Sequence, residues 1–254
     1  MALTPDLSDQ SVLITGAGRG LGRSMAEKLA SCGAIVGVVD IDAATSSAVA
    51  TAIRKTGARA MAYAVDVTDR VAFMAAAGRF ATECGRLDAV INNAMLLRYE
   101  PIEKVSDEML DRMLAIGIKG AVWGAQALIT HMDPERGGCI INMASPVAER
   151  GYPNTAVYSL VKGAIVSLTR TLAAELGPRR VRVNALAPGS IPTPGAMGLN
   201  DPAEYERRAR TIPLRRIGRE ADNAEAAAFL LSREASFVNG EILHVDGGIA
   251  AAAG

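Results

Sequence analysis

The chain is poor in aromatic residues, histidine and cysteine, and it carries no net charge. Only 4% of its 254 residues are Phe, Trp or Tyr, so aliphatic side chains and alanine have to build the core. With His131 and His244 as the sole histidines, a His-based zinc site is not expected, and no metal is assigned. Cys32, Cys84 and Cys139 are odd in number and widely spaced, which fits reduced thiols in a cytoplasmic protein better than a disulfide framework. Basic and acidic residues balance at 27 each, leaving no field that would gather nucleic acid or an anionic membrane. Arg207-Arg208 and Arg215-Arg216 read as solvated faces. No apolar run approaches the ~18 residues of a membrane span. Asp6 and Asp9 stand near the start with no basic segment leading into an apolar one, so no signal peptide is expected.

What is present is aliphatic and periodic. Hydrophobic residues make up 50% of the chain and charged residues 21%, the balance of a soluble globular protein with a sizeable core. Apolar runs at 11–15, 35–40, 60–65, 87–92, 139–143, 181–186 and 241–245 read as strands. Helical segments alternate with them at 21–31, 42–56, 70–84, 106–131, 155–176 and 219–231. Ser106 is the expected N-cap of the long one, and Gly57, Gly85 and Gly177-Pro178 are expected to end others. Repeated strand–helix units predict an α/β fold: a Rossmann-type doubly wound parallel sheet of about seven strands, helices on both faces, in a single domain over 1–254. An eight-unit barrel would leave little room for the proline-rich stretch 189–218, which reads as a substrate loop or lid with a short helix near 204–210.

The first strand runs directly into Gly16-Ala17-Gly18-Arg19-Gly20-Leu21-Gly22, and a helix follows. Glycines in that context let the backbone turn sharply and approach a pyrophosphate at a helix N-terminus. The usable triplet is Gly16, Gly20 and Gly22, because Leu21 stands where the common dinucleotide fingerprint has its last glycine. The next strand ends at Asp40, 18 residues after Gly22. A carboxylate there can accept from both adenosine ribose hydroxyls and would repel a 2′-phosphate, so NAD is expected over NADP. Arg19 is a mild counter-signal, as a cation that could pair with that phosphate.

Tyr158 and Lys162 are four apart in a helical segment and so share a face. An ammonium beside a phenol lowers its pKa by roughly 1–3 units. That would make Tyr158 a proton acceptor for an alcohol. Alone, the pair fits a half-buried tyrosine beside a solvated lysine better than a catalytic pair.

The motifs coincide in one order: residues 15–22, Asp40, Asp66-Val67, Asn92-Asn93-Ala94, Ser145, Tyr158 with Lys162, the run from Pro188 to Thr193, and Val245-Asp246-Gly247-Gly248. Together they resemble the short-chain dehydrogenase/reductase family from Ser11 to Gly248. The resemblance implies hydride transfer between NAD(H) and a secondary alcohol or ketone. Tyr158 would then be the general acid/base, Lys162 would hold the nicotinamide ribose, and Ser145 would bond the substrate oxygen. It implies a cofactor site of Gly16, Arg19, Gly20, Leu21, Gly22, Asp40, Ile41, Asp66, Val67, Asn93, Ala94, Tyr158, Lys162, Pro188, Gly189, Ile191 and Thr193. It also implies a homodimer or homotetramer paired through the helices at 106–131 and 155–176. Met95, Leu97, Ser145, Pro146, Val147, Tyr152, Met197 and Leu199 mark an apolar rim for a cyclic or aryl-bearing small molecule, and Arg98 and Arg150 leave room for an acidic substituent.

Two positions depart from the family pattern. Met95 stands where a glycine usually follows Asn-Asn-Ala, and Gly117 where an asparagine usually helps hold a water behind the lysine. A water held by backbone groups could still fill that space, so Gly117→Asn is expected to leave activity unchanged or raise it. The departures keep an alternative in view, an NAD(H)-binding scaffold or sensor with weak or lost catalysis. A serine hydrolase is a poor reading, since Ser145 lies in Met-Ala-Ser-Pro and neither histidine has a place beside it. The assignment of Asp40 is directly testable. Asp40→Ser should erode the preference for NAD in steady-state turnover, and equal use of NADP by the unmutated chain would refute the assignment.

Overall fold

Five consecutive buried residues form β1 (Ser11–Thr15), a run with no exposed face. Such a strand suits only a sheet covered on both sides. The computed structural model, which describes residues 5–196 and 202–252, sets it inside a seven-stranded sheet. The other strands are β2 (Ile35–Asp40), β3 (Ala60–Ala64), β4 (Ala89–Asn92), β5 (Gly138–Met143), β6 (Val181–Pro188) and β7 (Ile242–Val245). All pair in parallel, in the order β3-β2-β1-β4-β5-β6-β7. The strand order reverses between β1 and β4, and a crevice opens at the carboxyl ends there. This is the doubly wound Rossmann-type sheet expected from the sequence.

The helices are α1 (Gly20–Ser31), α2 (Ala43–Lys55), α3 (Arg70–Cys84), α4 (Asp107–Leu114), α5 (Gly120–His131), α6 (Ala156–Leu176), α7 (Pro202–Thr211) and α8 (Glu220–Leu231). Met25 and Leu29 of α1, Val49 and Ile53 of α2 and Leu230 of α8 pack on one face of the sheet. Phe73 and Phe80 of α3, Leu128 of α5 and Leu176 of α6 pack on the other. Each such side chain contributes roughly 1.5–3 kcal/mol on burial. Side-chain caps fix where helices begin. Asp42 accepts from the Ala44 and Thr45 amides, Asp69 from Ala72, and Ser106 from Met109 as expected.

Three details differ from the sequence reading. The segment 106–131 is helical, but Ala115–Lys119 is a π-turn joining α4 to α5. By length and composition alone, the helical segment Asp107–His131 is long and apolar enough to cross a membrane, against the expectation that no run approaches that length. Part of it packs against the protein instead: Gly120, Ala121, Gly124, Ala125, Ala127 and Leu128 are buried. Gly177 ends α6 as expected, but as a right-handed C-cap (φ −51°) rather than a left-handed one. A short 3₁₀ turn, Gly177–Arg179, runs on, and the left-handed residue is Arg180 at φ 60°.

The edge strand β7 is held partly by one buried amide. Asn184 of β6 donates to the Val238 carbonyl (2.9 Å) and accepts from the Glu241 amide (3.0 Å). An orphaned buried polar group costs roughly 1–3 kcal/mol. Asn184→Ala should therefore lower the unfolding free energy by about 2–4 kcal/mol in a urea titration, and a change within error would remove Asn184 from this role.

Candidate active site

The glycine loop is compact because its residues lack Cβ atoms. A Cβ on Gly22 would lie 2.2 Å from the Gly16 carbonyl oxygen, and one on Gly16 would lie 2.9 Å from the Ala94 Cα. Gly16 and Gly20 also have left-handed φ values of 62° and 59°. Asn93 ties the loop to β4: its side-chain amide donates to the carbonyls of Thr15 (2.9 Å) and Gly16 (3.0 Å). The Thr15 hydroxyl accepts from the amides of Asn93 and Ala94, each at 3.0 Å. The open side of Gly20 faces Thr193, which follows β6, so the two form opposite lips of the crevice.

Asp40, at the end of β2, accepts from the Gly18 amide at 2.9 Å. Sequence reading left Gly18 out of the working triplet, yet a Cβ there would meet Thr45 Oγ1 at 2.4 Å and Asp40 Oδ2 at 2.9 Å. No spacing rule signals this, because the contact is made by a strand and helix more than twenty residues downstream. Ile41, beside Asp40, is 70% exposed and offers an apolar surface. Asp66 caps the turn after β3 by accepting from the Thr68 amide and hydroxyl, both at 2.8 Å. Val67 is buried against Gly120. Gly189 follows β6 directly, where a Cβ would lie 2.7 Å from the Asp246 Cα, and Ile191 is buried. Arg19 is exposed at the start of α1, Leu21 is partly buried in its first turn, and Pro188 ends β6. Loop glycines, Asp40 carboxylate and the Pro188–Thr193 lip fit a dinucleotide laid across the switch point.

Ser145, Tyr158 and Lys162 meet on the β5–α6 side of this crevice. The Ser145 hydroxyl lies close enough to the Tyr158 phenol to favour its phenolate form. Lys162 is only 5% exposed, and its Nζ donates to the Met143 carbonyl at 2.6 Å. That amine lies 5.5 Å from the centroid of the Tyr158 ring. Burial pushes the lysine pKa down to about 8. Burial also pushes the Tyr158 phenol well above its ordinary 10, with Tyr99 adding to the rise and Ser145 opposing it. The sequence reading expected the ammonium to lower the phenol. In the free chain desolvation outweighs that attraction, because both groups are buried and the amine is turned to a carbonyl.

Tyr99 was also missed. Its ring sits edge-on to that of Tyr158, with centroids 5.6 Å apart and planes at 63°. It lies in an irregular segment after β4, where no periodicity marks a facing direction. Of the expected substrate rim, Pro146 and Val147 form a 3₁₀ turn directly after Ser145, and Leu97 is partly buried. Tyr152 is exposed, and Met197 and Leu199 lie outside the described residues. Arg98 pairs with Glu100 at 3.4 Å. Arg150 donates to the Ile249 and Ala252 carbonyls, so it pins the C-terminal segment rather than meeting a substrate acid. That segment is further held by Asp246, which accepts from the Gly248 and Ala250 amides. Its described residues are thus anchored within the chain.

The Gly117 site differs most from expectation. A Cβ there would lie 2.4 Å from Val161 Cγ1 and 2.9 Å from the Met95 sulfur. There is no room for an asparagine, so the expected neutral or favourable Gly117→Asn exchange is withdrawn. Beside Gly117 is a void of about 10 Å³, lined by Thr15, Asn92 and Ala94 among others, near the least that holds one water.

Comparison with known proteins agrees with this geometry. The family described as Enoyl-(Acyl carrier protein) reductase matches residues 16–250. The short-chain reductase protein NovJ of Streptomyces niveus is 37% identical, over 95% of each chain. A cyclopentanol dehydrogenase of Comamonas testosteroni is 35% identical, over 96% of this chain and 98% of that one. Among solved structures, a 7α-hydroxysteroid dehydrogenase complexed with NADH and 7-oxo glycochenodeoxycholic acid superposes with a TM-score of 0.92 at 32% identity, covering 96% of this chain and 95% of that one. An NAD(P)-dependent dehydrogenase from Beutenbergia cavernae with bound NADP gives 0.92 at 33% identity, covering 97% and 99%. With motifs, sheet order and likeness agreeing over almost its full length, the chain belongs to the short-chain dehydrogenase/reductase family and is a hydride-transferring oxidoreductase of secondary alcohols and ketones.

Proposed function

We propose that the chain is an NAD(H)-preferring dehydrogenase/reductase in which Tyr158 exchanges the proton of the substrate hydroxyl. The observation that carries the reading is the meeting of Ser145, Tyr158 and the buried Lys162 at the crevice whose far lip is the glycine loop. A bound nicotinamide dinucleotide supplies the hydride acceptor or donor. Ser145 donates to the substrate oxygen and stabilises charge that grows on it. In oxidation, Tyr158 Oη takes the proton leaving the alcohol oxygen; in reduction it returns that proton to the ketone oxygen. Lys162 stands beside the phenol and orients the ribose. Positive charge brought next to Tyr158 favours phenolate and opposes the desolvation seen in the free chain.

Preference for NAD is supported by Asp40, whose carboxylate is fixed by the Gly18 amide at the edge of the adenosine side. A 2′-phosphate placed there would face a like charge. The substrate is read as a largely apolar secondary alcohol or ketone, cyclic or aryl-bearing, from Tyr99 against Tyr158, Pro146 and Val147 directly after Ser145, and the apolar Leu97 two residues before Tyr99. A cytoplasmic homodimer or homotetramer, paired through α4–α5 and α6, completes the reading.

Tyr158→Phe should abolish most turnover of a secondary alcohol, by about 10²–10⁴-fold, while NADH binding followed by fluorescence persists. Retained turnover would overturn the assigned role. Lys162 yields a stability test. Its folded pKa, about 8, lies below its ordinary 10.5, so the unfolded chain binds more protons between those values. Stability from this group is therefore lowest below pH 8 and rises with pH toward 10.5. Lys162→Met should raise the Tm of the dinucleotide-free protein at pH 7, and that gain should shrink as the pH approaches 10. A pH-independent gain would show that charge burial is not its source.

A further inference from the structure

We propose that Met95, Gly117 and Val161 form one packing unit that sets how closely the π-turn approaches α6, and so positions Lys162 and Tyr158. The inference rests on the roles given to those two residues above and adds a cause for their placement. Gly117 is buried in the π-turn, and its φ lies outside the left-handed range, so backbone conformation does not demand a glycine there. Space does. The hypothetical Cβ would stand 2.4 Å from Val161 Cγ1 and 2.9 Å from Met95 Sδ, both closer than real contacts allow. The π-turn backbone therefore touches Val161 and the thioether directly.

The two neighbours differ in how far they can yield. Met95 is unbranched and reaches Gly117 with its sulfur, so it can bend away. Val161 is fully buried and β-branched, with its side chain stiff at χ1. A side chain at 117 would thus press on the backbone of α6 at the residue before Lys162. Lys162 has little slack to absorb this, because its amine is anchored on the Met143 carbonyl. Met95, for its part, follows the Asn93-Ala94 backbone that is tied to Thr15, so it couples the glycine-loop side of the crevice to the helix side. The two departures from the family pattern, a bulky residue at 95 and an empty one at 117, are then linked: the sulfur lies 2.9 Å from where a side chain at 117 would begin, too close for both to be accommodated unmoved.

The test compares Gly117→Ala, Val161→Ala and the double variant. In a helix, Gly→Ala is ordinarily favourable, so a loss at this position has the opposite sign to the ordinary effect. Gly117→Ala should lower kcat for a secondary alcohol by about tenfold or more, since a displacement near 1 Å at a reacting group can cost on the order of 10²-fold. Binding of ADP, which reaches only the Asp40 and glycine-loop side, should stay within about twofold. Adding Val161→Ala should recover most of the lost turnover, a recovery that a generally damaged fold would not give. Wild-type kcat in Gly117→Ala, or a double variant no better than the single one, would overturn the inference. If Gly117→Ala does not accumulate as folded protein, the double variant decides alone: folded and within about tenfold of wild-type turnover supports the unit, and insoluble or inactive overturns it. Tyr158→Phe tests the underlying roles separately, because failure of the rescue leaves wild-type turnover and its dependence on Tyr158 untouched.

Discussion

An amine cannot be taken almost wholly out of water unless something holds it, and here the Met143 carbonyl holds Lys162 at 2.6 Å. Met143 is the last residue of β5, so the anchor of the amine is the sheet itself. The carbonyl is free for that purpose because the strand ends there and the chain turns through Ser145 into a short 3₁₀ turn. The same strand end therefore fixes both the lysine and the serine, and α6 supplies the tyrosine. A charged group so buried is costly, which is why the pKa of Lys162 falls rather than that of Tyr158. Stability is given up locally, at a site where a free amine and a phenol are kept close in a dry place.

The other half of the crevice depends on the absence of side chains. Gly16, Gly18 and Gly22 bring backbone atoms within distances a Cβ would forbid, and Asn93 stitches the loop to β4. The result is a rigid lip that ends at the N-terminus of α1, with Asp40 tied to it through the Gly18 amide. The carboxylate is thereby pre-oriented before any ligand arrives, and ordering it on binding adds little entropic cost. Both halves owe their rigidity to strand ends, as expected for sites at the carboxyl edge of a parallel sheet.

Much of this was legible in the residues. Buried strands such as Ser11–Thr15 announce a sheet covered on both faces, and the glycine loop, Asp40, Ser145 and the Tyr158–Lys162 spacing stand at strand ends or on one helix face. What was not legible depends on contacts between distant segments. Gly18 is required because Asp40 and Thr45 crowd it; Gly117 is required because Val161 and Met95 do. Arg150 reads in the sequence as available to a substrate, but the C-terminal carbonyls take its guanidinium. The direction of the Tyr158 shift was misjudged because spacing reveals a nearby charge but says nothing of how much water has been removed.

Those opposed shifts bear on how the proton can move. Above about pH 8 the free chain favours an amine without its extra proton beside a phenol that keeps its own. An ammonium beside a phenolate holds the same total of protons. The two arrangements differ only in where one proton resides, so changing between them requires none from solvent. Burial favours the uncharged arrangement, and a positive charge placed beside the phenol favours the other. A site organised this way has less need of a polar side chain behind the lysine to pass protons outward at the moment of reaction. That is consistent with the packing at Gly117, where the space such a side chain would use is taken by Val161 and a thioether.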